Sequence, residues 1–269
     1  MSTSRRRFLG LSALSLGAAR LSYANTSSGT ASWPEPIQKL KPMADGVVPI
    51  TAEERKQRIE KARELMAKEK MDAIFMEGTT ACTYFTGMRW GQSERTFGLV
   101  IPAKGPIAYV CPKFEEDRAR ELIIPEFGDE VRCWEEHESP YERIAGIVKD
   151  RGIRHGRIGM EERVRFFIVD GVKKASSQLE VVDATPVTAG CRMIKSAAEL
   201  ALMQKANDVT IEAYKAAFAA LTPGMSQSEF ANLISTAFSK LGYRGGASVQ
   251  VGKYADRKST RLNSSHTDI

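Results

Sequence analysis

The chain is poor in the residues that most often do chemistry. Its 269 residues hold only three histidines and four cysteines. So few cysteines exclude a disulfide-built scaffold, and an apolar content of 42% excludes a chain too polar to build a core. Catalytic signatures are missing as well. There is no Gly-x-Ser-x-Gly elbow, no glycine loop ending in Lys-Ser or Lys-Thr, and no His-Glu-x-x-His. Cys82, Cys111, Cys133 and Cys191 are too widely spaced for a zinc motif. Cys111 and Cys133 fall in expected strands, where cysteine behaves as a small core residue, and a disulfide stays open in an oxidising compartment. His137 and His155 sit among charged residues and glycine and read as solvated surface groups, not as bases or ligands. No apolar run reaches the roughly 20 residues a membrane span needs.

What is present begins with charge, a net +6, concentrated at the two ends. Ser4-Arg5-Arg6-Arg7-Phe8-Leu9 leads into a short apolar stretch from Leu11 to Ala19 and then Ser22-Tyr23-Ala24. A basic start, an apolar run and a small-x-small site make an export signal over residues 1–24. The Arg5-Arg6 pair before Phe8-Leu9 resembles the twin-arginine type, which implies a periplasmic or otherwise exported protein. Residues 25–50, rich in Ser, Thr, Pro and Gly, read as a linker. At the other end, Asp256 to His266 is the in-frame translation of a DNA string that resembles a sequencing-library adapter. Residues 256–269 are therefore expected not to belong to the natural chain, and His266 is not recruited to any site. The body between the two ends is nearly neutral, which removes the argument for a nucleic-acid partner.

Within the body, Thr51 to Lys70 has helical spacing, with Thr51 as N-cap. Strands are expected at Ala73–Met76, Phe97–Pro102, Ile107–Pro112, Glu130–Trp134, Arg157–Met160 and Leu179–Val182. Helices are expected over Phe114–Ile124, Tyr141–Arg151 and Arg163–Ser177. Alternating strands and helices predict an α/β layer on a mixed sheet containing one antiparallel hairpin, over residues 51–190. After Gly190 two capping boxes, Ser196/Glu199 and Ser226/Glu229, open helices over Ala197–Leu221 and onward to Leu241. A strand is expected at Ser248–Val251. The first of these helices is apolar on more than one side, so residues 191–255 read as the beginning of a second domain, with apolar faces left exposed.

One polar-aromatic stretch stands out, Tyr84 to Arg95, which carries Trp90 and Arg95 between two expected strands. Arg can clamp a carboxylate with paired N–H donors while Trp supplies an apolar wall. A structural loop anchored by Trp90 explains the same residues, and the sequence leaves both readings open.

The segments Arg58 to Gly87, Val182-Asp183-Ala184-Thr185-Pro186, Arg192-Met193-Ile194-Lys195-Ser196 through Glu199, and Leu221-Thr222-Pro223-Gly224-Met225-Ser226 carry a family resemblance. From about residue 52 to 252 the chain resembles the creatinase/prolidase/aminopeptidase P family, the M24 "pita-bread" metallopeptidases. The resemblance implies a creatinase-type N-terminal α/β domain followed by an incomplete pita-bread α+β catalytic domain. It implies an intact parent that removes a residue ahead of proline or splits Xaa-Pro dipeptides, using two divalent metal ions (Mn, Co or Zn). It also implies a homodimer in which one subunit's N-terminal domain edges the other's active site. No residue here matches the family's metal-ligand motifs, so the chain itself is expected to hold no catalytic or metal residue and to be inactive. Arg95 followed by Thr96-Phe97-Gly98 resembles the creatinase segment that supplies a substrate-binding arginine, which makes Arg95 and Trp90 candidate substrate contacts. A metal-free creatinase-type amidinohydrolase and a non-catalytic binding module share the fold and are the alternatives.

Overall fold

The computed structural model describes residues 33–251. The signal with Arg5 and Arg6, the start of the linker and the tail from Asp256 lie outside the described residues. The described residues divide into two compact units, one of residues 45–208 and one of residues 33–44 with 209–251.

In the first unit, helix α2 (Ala52–Lys68) starts where the Thr51 hydroxyl accepts the Glu54 N–H, and it buries Ile59, Ala62 and Met66 on one face. Strand β1 (Ala73–Glu77) is followed by helix α3 (Thr80–Thr86). Strands β2 (Gly98–Pro102) and β3 (Ala108–Pro112) form the expected hairpin. A 3-10 turn at Lys113–Glu115 then leads into helix α4 (Glu116–Leu122), where the sequence predicts one continuous helix. Strand β4 (Glu130–Trp134), helix α5 (Pro140–Asp150), strand β5 (Gly156–Met160), helix α6 (Phe166–Ala175) and strand β6 (Leu179–Asp183) follow within a few residues of expectation. Helix α7 (Thr185–Met193), opened by Pro186, is not anticipated by the sequence pattern.

The six strands make one mixed sheet in the order β4-β3-β2-β1-β5-β6. β2 runs against both of its neighbours, while the β3–β4, β1–β5 and β5–β6 pairs are parallel. Strand alternation sends Ile74, Met76, Leu99, Ile101 and Tyr109 to one face, which is covered by α2, α3 and α7 through Ala62, Met66, Phe85 and Val187. Ala73, Phe75, Val100 and Val110 go to the other face, under Ile144, Ile147 and Val148 of α5 and Ile168 and Val172 of α6. Strands buried on both faces explain why β1 to β3 read as continuous apolar runs.

Helix α8 (Ala197–Ala219) contains the division between the two units, which follows Asp208. α7 and the start of α8 join the first unit's hydrogen-bond network, through Cys191, Ser196 and Glu199. In the second unit, helix α1 (Glu35–Gln38) sits inside the stretch expected to be a linker. Its Ile37 is fully buried with Phe230, Leu233 and Phe238 of helix α9 (Gln227–Lys240). The Met43 N–H donates to the Leu241 carbonyl at 2.9 Å and the Tyr243 hydroxyl to the Met43 carbonyl at 3.2 Å. That stretch is thus folded from α1 onward. Both capping boxes form as spaced in the sequence. Residues Ser248–Val251, expected as a strand, are irregular, since no partner strand lies beside them among the described residues. Leu200, Met203, Ile211 and Phe218 of α8 are exposed.

Candidate functional site

The stretch from Gly87 to Phe97 links α3 to β2, and its root is apolar. Gly87, at φ +80°, ends α3 in the left-handed conformation that a side chain would strain. The helix therefore takes in Tyr84, Phe85 and Thr86, which the sequence places in the loop. Trp90 is only 7% exposed. Its ring stacks on Phe97 at 3.9 Å with the planes 14° apart, and the Arg118 guanidinium lies 4.1 Å over it. A Cβ at Gly78 would come within 3.0 Å of the indole, so glycine there makes room for the ring. Trp90 thus occupies the place of a loop anchor.

The loop's polar side is held by a carboxylate at the C-terminal end of β1. Glu77 is 1% exposed and accepts from Arg165 Nη2 at 2.6 Å, Arg165 Nε at 3.1 Å, the Arg165 N–H at 3.0 Å and Gln92 Nε2 at 3.1 Å. Arg165 Nη1 also donates to the Ser93 carbonyl at 2.5 Å. One buried ion pair therefore fastens both Gln92 and Ser93. Just beyond parallel β5 stands a second carboxylate, Glu161, 2% exposed, accepting from the Thr79 hydroxyl at 3.2 Å and the Arg163 N–H at 3.1 Å. Burial first, and then repulsion from Glu162, push its carboxyl above the usual range.

Arg95 faces outward, its side chain 35% exposed. Nε donates to Glu136 Oε1 at 2.7 Å, Nη1 pairs with Glu94, and the guanidinium lies 5.0 Å over the exposed Phe114 ring. The structure does not bring Trp90 and Arg95 together on one surface: the tryptophan anchors the loop from within, and the arginine tips it. What surrounds Arg95 comes from Glu136 after β4 and Phe114 after β3. Neither carries a local sequence signal, because only sheet pairing makes them neighbours.

The residues carrying the family resemblance gather at a different place in the same unit. Buried Arg58 pairs with Glu54 at 2.8 Å and Glu199 at 3.4 Å, donates to the Tyr84 carbonyl at 2.9 Å, and lies 4.2 Å over the Tyr84 ring. Ser196 donates to Glu54 at 2.8 Å, and the Tyr84 hydroxyl donates to the Cys191 carbonyl at 2.9 Å. Burial raises the Tyr84 phenol to about 12. These motif residues join α2, α3, α7 and the start of α8. His137 and His155 are exposed, and the cysteines are free thiols. Among the described residues no three His, Cys, Asp or Glu side chains converge so as to hold a metal ion.

Comparison with known proteins agrees with this architecture. Residues 58–194 match the family model described as the Creatinase/Prolidase N-terminal domain. An uncharacterized peptidase of Schizosaccharomyces pombe is 30% identical over 211 residues, covering 74% of this chain and 45% of that protein. A probable dipeptidase PepE of Mycobacterium tuberculosis is 25% identical over 179 residues, covering 66% and 46%. The chain thus spans about half the length of these relatives. Among solved structures, dipeptidase PepE of Mycobacterium ulcerans shares the fold at a TM-score of 0.63 and 21% identity, over 74% of this chain and 57% of that one. A prolidase of Thermococcus sibiricus does so at 0.60 and 22%, over 71% and 50%. The mixed sheet, its two helical layers and the match over residues 58–194 place the chain in the creatinase/prolidase N-terminal domain family.

Proposed function

We propose that this chain is the N-terminal part of an exported metal-dependent peptidase that acts on proline-containing peptides, as an Xaa-Pro aminopeptidase or dipeptidase. The observation that carries the reading is the 30% identity to a peptidase across 74% of the chain. In this reading the metal ligands belong to the rest of the catalytic domain, which α8 and α9 begin, and the 269-residue chain alone is inactive. The intact protein is a homodimer, and Arg95 reaches a substrate carboxylate by exchanging Glu136 for it, since a guanidinium can pair with either. Trp90 and the Glu77–Arg165 pair hold the loop that presents it.

The test compares this chain with the uninterrupted product of its gene, each assayed on Xaa-Pro dipeptides and longer Xaa-Pro peptides with Mn, Co or Zn added. Metal-dependent cleavage by the longer protein alone is expected. A longer protein that binds no metal and leaves these peptides intact defeats the proposal. Export is checked separately by fractionating cells that express the wild type or the Arg5→Lys/Arg6→Lys double variant. The wild type should reach the periplasm and the variant should stay in the cytoplasm, and equal distribution would remove the twin-arginine assignment.

A further inference from the structure

Strands β3 and β4 run parallel with Cys111 directly opposite Cys133. Residues in register on neighbouring strands point to the same face. That face is the first core, to which Tyr109 and Cys111 belong and against which Val131 packs. Strand spacing puts the two Cα atoms about 4.8 Å apart, inside the roughly 4.4–6.8 Å a disulfide spans. We infer that Cys111 and Cys133 are an oxidation site, a pair of thiols that closes into a disulfide tying edge strand β4 to the sheet.

The two sulfurs are unequal, which sets the order of events. Cys111 is fully buried, its thiol 3.3 Å from the Pro112 carbonyl. Burial first, and then the nearby Cys133, push it up to about 12. Cys133 is pushed up to about 11, by burial first and then by Glu116, against the pull of Lys113 and Arg120, but it is only half-buried and so is the sulfur a reagent reaches. The oxidant is a low-molecular-weight disulfide. The Cys133 thiolate attacks one of its sulfurs, forming a mixed disulfide and releasing one small thiolate. The Cys111 thiolate then attacks the Cys133 sulfur and releases the second. The two thiol protons end on the two small thiols, and the two electrons reduce the reagent's S–S bond. Cys82 and Cys191 lie on α3 and α7, each away from any strand register of this kind. They serve as internal controls.

The experiment treats the full chain with oxidised glutathione, quenches with acid, unfolds and alkylates it, and maps peptides by mass spectrometry. The expected result is loss of two of the four thiols and one cross-linked pair of peptides, containing Cys111 and Cys133. Cys111→Ser should instead keep a stable glutathione adduct on Cys133, since nothing remains to resolve it. Four alkylated thiols in the oxidised wild type, a glutathione adduct that persists there, or a cross-link joining any other pair overturns the inference.

Discussion

Replacing Arg165 with methionine keeps most of the side chain's apolar stem and removes its charge. What remains is Glu77, 1% exposed, with its three side-chain contacts from the guanidinium gone. Breaking a fully buried ion pair from one side costs about 3–5 kcal/mol, because the surviving charge has neither water nor partner. Here the arginine side chain is 28% exposed, so solvent screens part of the interaction. Glu77 also keeps the Arg165 N–H and Gln92 Nε2. The expected loss is therefore about 2–4 kcal/mol. For a chain of this size that corresponds to a fall in Tm of roughly 5–12 °C. Urea unfolding followed by tryptophan fluorescence reads the change, with Trp90 and Trp134 both in the first unit's core. Glu77→Gln and the Glu77→Gln/Arg165→Met double variant complete the cycle. The double variant should recover part of the loss, since it leaves no buried charge, giving a coupling of about 1–3 kcal/mol. A loss below about 1 kcal/mol for Arg165→Met, or single costs that simply add, would refute the view that this pair fastens the loop.

Glu161→Gln should stabilise the protein at neutral pH, because the amide can accept from the Arg163 N–H and donate to the Thr79 oxygen without burying a charge. The folded carboxyl sits above its usual value of 4.5, so the folded state binds its proton more tightly and wild-type stability rises as pH falls through the folded pKa. The variant's advantage should therefore shrink over that interval and level off below pH 4.5, whereas an advantage independent of pH would contradict the sign. Gly128→Ala should cost at least about 2–3 kcal/mol, since φ is +139° and the added Cβ would lie 2.0 Å from the Ile107 carbonyl oxygen. An unchanged urea midpoint would show that the β3 approach can relax. Arg95→Ala should leave the unfolding midpoint of this chain alone, while in the uninterrupted gene product it should raise KM several-fold with little change in kcat. An unchanged KM removes Arg95 from substrate contact.

Much of this protein is written locally. Periodicity and caps determine where α2, α5, α8 and α9 begin, because a Thr or Ser oxygen within reach of an N–H three residues on acts before any tertiary contact. Apolar runs determine that β1 to β3 are central strands, since only a strand covered on both faces can bury every residue. The motif residues Arg58, Tyr84, Ser196 and Glu199 reveal the family from sequence alone, and the structure supplies their reason as one buried network. Other features depend on partners far away in the chain. Burial of Ile37, which turns an expected tether into part of a core, needs α9, some 190 residues later. Ser248–Val251 has strand-like residues but no neighbouring strand among those described, and a strand without a ladder leaves its backbone groups unpaired. The loop is the clearest case. Its sequence shows Trp90 and Arg95 in one stretch, yet the burial of Trp90 as an anchor depends on Phe97 and Arg118, and the hold on the loop depends on Glu77 and Arg165, brought together only when the sheet closes. Sequence determined the elements and the family, while tertiary packing decided which polar groups lost their water: Glu77 and Glu161 are buried, whereas Arg95 stays partly in solvent.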